Sequence, residues 1–266
     1  MSRSKIAQLA VAAALVFGAQ SAIACSTAAW TGAATTATAG EPGAGFKRYG
    51  GRCSLKSTAI GQFVTDASPD AEPTYRARGY VNAGTATAET DIFRAIQASN
   101  SANVIRVTYD GANIKFYVNN AQVGANVPAL AGRYYSFEVR WANTGAFTGI
   151  VQGNNAAAPT TVTGNGTAGG VIDTVQLGLI NGAASGDWFF DEFDSRRTTD
   201  IGRLCKADAN GNNNINIADV VVTNNEAGGG VLALGQPDCN ENGAVNVADV
   251  ACVSSAIGAG AVCAAN

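Results

Sequence analysis

No aromatic residue occurs after Phe193, yet the chain runs on to Asn266. Large aromatic and branched side chains supply most of the area a domain core buries. Whatever follows Phe193 must be held together by other means, so the chain falls into two unlike parts. A boundary is expected in the polar stretch from Asp194 to Arg203, with a first domain over 25–198, a linker over 199–204 and a second domain over 205–266.

The first part reads as strands. In RYYSFEVRW, Tyr135, Phe137, Val139 and Trp141 alternate with Tyr134, Ser136, Glu138 and Arg140. A period of two marks a half-buried strand. The run ANVIRVTYDGANIKFYVNNAQVG reads as three strands joined at Asp110-Gly111 and Asn119-Asn120. Such dipeptides between apolar runs signal hairpins. Further strands are expected at Thr74 to Val81, Asp91 to Ala98, Ala146 to Val151, Thr174 to Ile180 and Trp188 to Asp194. Many short strands with Gly- and Asn-rich turns predict a mainly β protein, an antiparallel sandwich.

The N-terminus sets the compartment. Arg3 and Lys5 precede an apolar run from Ile6 to Phe17 that closes on Ala22-Ile23-Ala24. That order predicts a secretory signal peptide over 1–24. The run is too short to span a bilayer, so no transmembrane segment is expected; a lipid on Cys25 is the alternative anchor. Outside the cytosol, six cysteines predict disulfides. Position in the chain pairs Cys25 with Cys53. The remaining four are expected as Cys205–Cys263, clasping the ends of the second part, and Cys239–Cys252 inside it, although spacing permits the other pairings. Without Arg3 and Lys5 the chain carries 15 basic against 20 acidic residues, near −5. Nucleic acid needs a basic face and is not an expected partner. There is no histidine, which removes the commonest general base and zinc ligand.

The second part contains the same spacing twice, in DANGNNNINIAD from Asp208 and DCNENGAVNVAD from Asp238. Ca²⁺ takes six to eight oxygens, and a loop offering them at positions 1, 3, 5, 7, 9 and 12 wraps one ion. The first copy places Asp208, Asn210, Asn212, Asn214, Asn216 and Asp219 there. The second places Asp238, Asn240, Asn242, Ala244, Asn246 and Asp249 there. Position 7 uses a backbone carbonyl, so Ala244 serves as well as Asn214. Position 6 needs a positive φ, which Gly243 and Asn213 tolerate. Position 8 is apolar in both copies, Ile215 and Val245, as expected where paired loops meet through a short bridge. With two carboxylates per loop, the predicted affinity is on the order of 10⁻⁴ M. Metal and disulfides would then stabilise a segment too poor in core to fold alone.

This spacing, over Cys205 to Ile257, resembles the type I dockerin repeat, an EF-hand-like calcium loop followed by one helix, in duplicate. Three pieces of the first part, FKRYGGRCSLKST, GANIKFYVNNAQVG and GDWFFDEFDSRR, are similar to strands of the concanavalin A-like, laminin-G-like jelly-roll superfamily. Together they imply a jelly-roll β-sandwich followed by a small α-helical dockerin-like domain. The dockerin resemblance implies a cohesin-like partner met through Ile217-Ala218 and Val247-Ala248. The helices lack the leucine pair and basic residue common in cohesin-binding versions, so a structural or adhesive appendage stands beside docking.

Jelly-roll domains of this kind include carbohydrate binders, adhesive modules and glycosidases. A glycosidase needs paired carboxylates. The nearest pattern is Asp191, Glu192 and Asp194, in which alternation puts Glu192 with Asp194 and Asp191 opposite. The further glutamate of the glycosidases is replaced by Ser195, Arg196 and Arg197. These carboxylates are therefore read as the solvent-facing end of the last strand and the sandwich as non-catalytic. Trp30, Trp141 and Trp188 are candidate sugar platforms, with burial in the core as the competing reading. The expected function is a secreted calcium-binding protein with a binding or adhesive sandwich and a glycan as its expected ligand. The alternative is an accessory or catalytic component of polysaccharide degradation tethered by its tail.

Overall fold

The structure, a computed structural model, describes residues 25–31, 37–43, 45–153 and 158–263. The expected signal peptide lies outside the described residues. The strands are β1 (Thr38–Gly40), β2 (Ser54–Ser57), β3 (Gln62–Asp66), β4 (Thr74–Asn82), β5 (Thr85–Ala86), β6 (Thr90–Gln97), β7 (Ala102–Tyr109) and β8 (Asn113–Val118). They continue with β9 (Ala121–Pro128), β10 (Tyr134–Ala142), β11 (Ala146–Gly153), β12 (Thr160–Asn165), β13 (Thr174–Asn181), β14 (Ala184–Ser185) and β15 (Trp188–Arg196). Helices α1 (Ile217–Ala227) and α2 (Val247–Gly258) follow.

Two antiparallel sheets face each other, in the order β1-β2-β15-β4-β10-β11-β12 and β3-β13-β6-β7-β8-β9. A small β14–β5 pair lies beside them. This is the expected jelly-roll-like sandwich. The turns follow the sequence chemistry. Asn119 and Asn120 both take positive φ, 48° and 64°, as a two-residue primed turn between β8 and β9 requires. At the β7–β8 turn Gly111 has φ 95°, and the Asp110 carboxylate accepts the amides of Ala112 and Asn113 at 3.0 and 2.7 Å.

The core lies between the sheets. Phe93 packs on Phe137 across the gap with ring centroids 5.9 Å apart, and Phe116 on Phe147 at 5.6 Å. Gly149 lets the sheets approach: a Cβ there would sit 2.6 Å from the Phe116 ring. Trp141 and Trp188 are buried in this core, and Trp30 packs on Phe193 at 5.0 Å. The sugar-platform reading is thereby withdrawn for Trp141 and Trp188.

Both faces of β10 are buried, where alternation predicts a half-buried strand. Tyr134, Ser136 and Glu138 on its outer face are covered, as are Arg78, Tyr80 and Asn82 of β4. The cover is the stretch expected as a linker, 199–204, together with the tail. Ile201 is fully buried, and the amides of Ile201 and Gly202 donate to the Glu138 carboxylate at 3.3 and 2.9 Å. Arg78 donates to the Gly202 carbonyl at 3.0 Å, and the Leu204 amide donates to the Tyr80 hydroxyl at 2.8 Å.

The three disulfides are Cys25–Cys53, Cys205–Cys263 and Cys239–Cys252, the expected set. The first occupies the sulfur that a lipid on Cys25 would need. Among the described residues no helix is long and apolar enough to cross a membrane.

Candidate functional site

In the tail, local hydrogen bonds shape each Asp/Asn loop. The Asp208 carboxylate accepts the amides of Gly211, Asn212 and Asn213 at 2.9, 3.1 and 2.7 Å. Asn210 Oδ1 accepts Asn212 N, and Asn212 Oδ1 accepts Asn214 N. Side chains that bond backbone two residues on are the natural turn-makers of Asn and Asp. The second loop repeats the scheme. Asp238 accepts Asn242 N and Gly243 N at 3.0 and 2.8 Å, Asn240 accepts Asn242 N, and Asn242 accepts Ala244 N. Position 6 turns with positive φ in both copies, 61° at Asn213 and 91° at Gly243.

Each loop is closed by its last carboxylate. Asp219 takes Asn210 N on one oxygen and Asn216 N on the other, at 3.0 and 2.9 Å. Asp249 does the same with Asn240 and Asn246, at the same distances. Asn216 and Asn246 are the N-caps of α1 and α2, with side chains accepting Ala218 N and Ala248 N at 2.8 Å. Together with Asp219 and Asp249 they form capping boxes. Their side chains therefore hold helix starts, a role the loop spacing did not reveal. Among the described residues no β-bridge joins Ile215 to Val245. The repeats meet instead through a small core of Ala207, Cys239 and Val253, with Ile215, Val220 and Ile257 packed on it.

The electrostatics of the loops are unbalanced. Asp208, Asp219 and Asp249 are buried, at 4, 0 and 0 % exposure, and Asp238 is half-buried. Among the described residues none of the four forms an ion pair with Lys or Arg. Burial, together with the nearby Asp249 carboxylate, pushes the Asp238 carboxyl up to about 6. Buried carboxylates without a counter-charge carry a large desolvation cost. A bound divalent cation removes that cost, and the donor set of carboxylate, amide and carbonyl oxygens suits a hard ion. Cys205 and Cys263 lie beside Asp208, but their sulfurs are joined to each other and do not act as thiolate ligands.

The tail is also locked to the sandwich. Glu241, at loop position 4 with φ 55°, has its side chain almost wholly buried. It accepts the Tyr49 hydroxyl at 2.8 Å and pairs with Arg203. Arg203 lies over the Tyr49 ring, and Tyr49 stacks on Tyr80 with centroids 4.0 Å apart. Arg48 pairs with Glu226 of α1 and donates to the Ala233 carbonyl at 3.0 Å.

Of the three acidic residues of β15, Asp191 and Glu192 hold the loop that carries Tyr49. A register shift between Asp191 and Asp194 places them opposite Tyr80 and Arg78, on one face, which corrects the alternating assignment. Asp191 is buried and accepts the amides of Tyr49 and Gly50 at 2.6 and 3.2 Å. Glu192 has φ 49°, and its carboxylate lies against Gly50 and Gly51. Burial raises the pKa of both acids. Asp191 and Glu192 are therefore not solvent-facing, because the 46–52 loop covers them. Asp194 pairs with Arg196 at 3.1 Å.

No described protein family matches the chain, and neither does any curated protein. Among solved structures, the botulinum neurotoxin type G receptor binding domain is similar at 10 % identity and TM-score 0.45, over 63 % of this chain and 44 % of that one. The cellulose induced protein Cip1 is similar at 13 % identity and TM-score 0.43, over 64 % and 94 %. A Trypanosoma rangeli sialidase is similar at 13 % identity and TM-score 0.39, over 57 % and 27 %. The chain thus spans less than half of the neurotoxin domain. Similarity of this degree assigns no ligand and no activity, and the dockerin resemblance rests on the loop spacing in the sequence alone.

Proposed function

We propose that this is a secreted calcium-binding protein in which a non-catalytic binding sandwich carries a dockerin-like tail. The observation that carries the reading is the twice-written loop, whose aspartates at positions 1 and 12 are buried or half-buried and, among the described residues, pair with no Lys or Arg. Asp208, Asn210, Asn212, the Asn214 carbonyl and Asp219 would hold one ion. Asp238, Asn240, Asn242, the Ala244 carbonyl and Asp249 would hold the other. Asn216 and Asn246 are spent on the helix caps and would act at most through water. The ions supply positive charge and cross-link each loop to the helix that follows it. Three disulfides fit an oxidising compartment. The binding, non-catalytic reading of the sandwich is supported by Asp191 and Glu192 being committed to the 46–52 loop.

Titration of calcium chloride into the full chain tests the metal reading. Two sites of about 10⁻⁴ M are expected, with Asp219→Ala and Asp249→Ala each removing one. Unchanged stoichiometry in both variants would sink it.

A docking role for the tail is supported by one observation. Ile217 and Val247, at equivalent places in the two repeats, are 71 and 78 % exposed. Paired Ile217→Asp and Val247→Asp substitutions should abolish binding to a purified cohesin module while leaving calcium uptake intact. Absence of binding by the unaltered chain would leave the tail a structural appendage.

A further inference from the structure

A cleft of about 870 Å³ lies between sandwich and tail, lined by Phe46, Lys47, Asn82, Arg133 and Tyr134 on one side and by loop residues Asn242 to Val245 on the other. A second cleft of about 530 Å³ adjoins it and shares Phe46, Lys47, Asn82 and Gly132. These volumes lie in the range of small-ligand sites.

Three groups in this groove lack protein partners. Lys47 and Arg133 are exposed, and among the described residues neither side chain makes an ion pair or hydrogen bond. Of the other charges lining the cleft, Arg48 pairs with Glu226 and Glu241 with Arg203, while Asp238 belongs to the second Asp/Asn loop. Asn82 is the third. It is only 5 % exposed, lines both clefts, and its side-chain amide has no hydrogen bond among the described residues. Its amide opens into both clefts, where a polar ligand can reach it. The backbone that carries the cations is fixed. The Tyr134 hydroxyl donates to the Lys47 carbonyl at 3.0 Å, and the Gly132 amide donates to the Ala83 carbonyl at 2.8 Å beside Arg133.

We infer that this groove binds an acidic saccharide of the uronic-acid type. Lys47 and Arg133 meet the carboxylate, for which a guanidinium fork is well matched. Asn82 hydrogen-bonds hydroxyls, for which an amide offers both donor and acceptor. Phe46 supplies the apolar edge against a sugar ring. The inference rests on the reading of the sandwich as a binding domain.

The test is calorimetry on the full, disulfide-intact chain with trigalacturonate, its methyl ester, a sulfated trisaccharide and triglutamate. Trigalacturonate should bind at least tenfold more tightly than its ester, which keeps the shape and loses the charge. Lys47→Gln and Arg133→Gln should each weaken the acid roughly tenfold. Asn82→Ala should weaken acid and ester alike, by roughly three- to tenfold. The two cations are exposed and unpaired, so both Gln variants should fold normally. Equal binding of acid and ester, no effect of either Gln variant, or tighter binding of the sulfated sugar or of triglutamate would overturn the assignment. Calcium heat measured on the same samples separates the two readings. If it persists while trigalacturonate fails, only the groove is lost; if glycan binding appears on an array and does not respond to Lys47→Gln or Arg133→Gln, the sandwich still binds, but elsewhere.

Discussion

In the sandwich, Phe93, Phe116 and Phe137 lie fully buried between two sheets; in the tail the buried apolar residues are Ala207, Ala209, Ala233, Cys239 and Val253, and carboxylates are buried just as deeply. One region excludes water with rings, the other closes chain around oxygen-rich loops and two disulfides. The contrast shows how one chain can stabilise a large domain by area and a small one by cross-links. It also predicts different responses to perturbation.

The largest effects separate the two regions. Phe137→Ala should cost about 3–5 kcal/mol in denaturant unfolding of the sandwich, with or without calcium. Replacing Cys205 and Cys263 by serine reopens a 58-residue closure and should cost the tail about 4 kcal/mol. Fluorescence reports the sandwich, because every aromatic of the described residues precedes the tail, and circular dichroism at helical wavelengths reports α1 and α2. If both variants shift both signals equally, the comparison fails.

Glu241 is where the two regions meet. Glu241→Gln keeps the shape but removes the charge facing Arg203, and should cost about 2–3 kcal/mol. The tail should then unfold earlier than the sandwich, seen as two transitions. A single transition at the original midpoint would mean that the junction contributes nothing.

A smaller effect compares the repeats with each other. Asn216→Ala and Asn246→Ala each remove an N-cap and should each cost about 1 kcal/mol. Equal losses are expected because the bonding patterns are the same, and a loss in only one repeat would show that the symmetry is not energetic.

The smallest effect is a slope with pH. Burial raises the Glu192 carboxyl above its ordinary 4.5. An acid of this kind favours the folded state while protonated. Its contribution is complete below about 4.5 and is lost as pH rises through the raised value. Glu192→Gln should flatten that part of the profile of melting temperature against pH, and an unchanged profile would place the slope on Asp191 instead.

Much of the sandwich is legible in the sequence because its signals are local. Alternation marks β10, and Asp110-Gly111 and Asn119-Asn120 mark the hairpins around β8. The two-residue β5 and β14 carry no periodicity, and Gln62–Asp66 and Thr160–Asn165 are too polar to stand out. The bonding of the Asp/Asn loops is local for the same reason, since each aspartate and asparagine bonds amides a few residues away. The junction does not. Tyr49 and Glu241 are 192 residues apart, and no spacing rule connects them. Alternation also misplaced Asp191, because a bulge in β15 puts it on the same face as Asp194. A signal was present in hindsight: an acidic residue at loop position 4, where the other copy has Gly211, must pay for a positive φ with a specific contact.

Amide hydrogen exchange on the full chain, with and without calcium, tests the central claim most directly. Calcium should raise protection at Asn212, Asn213, Asn242 and Gly243, whose amides are tied to Asp208 and Asp238, and through α1 and α2, while leaving β4 and β10 unchanged. Identical exchange in the loops under both conditions would contradict the account.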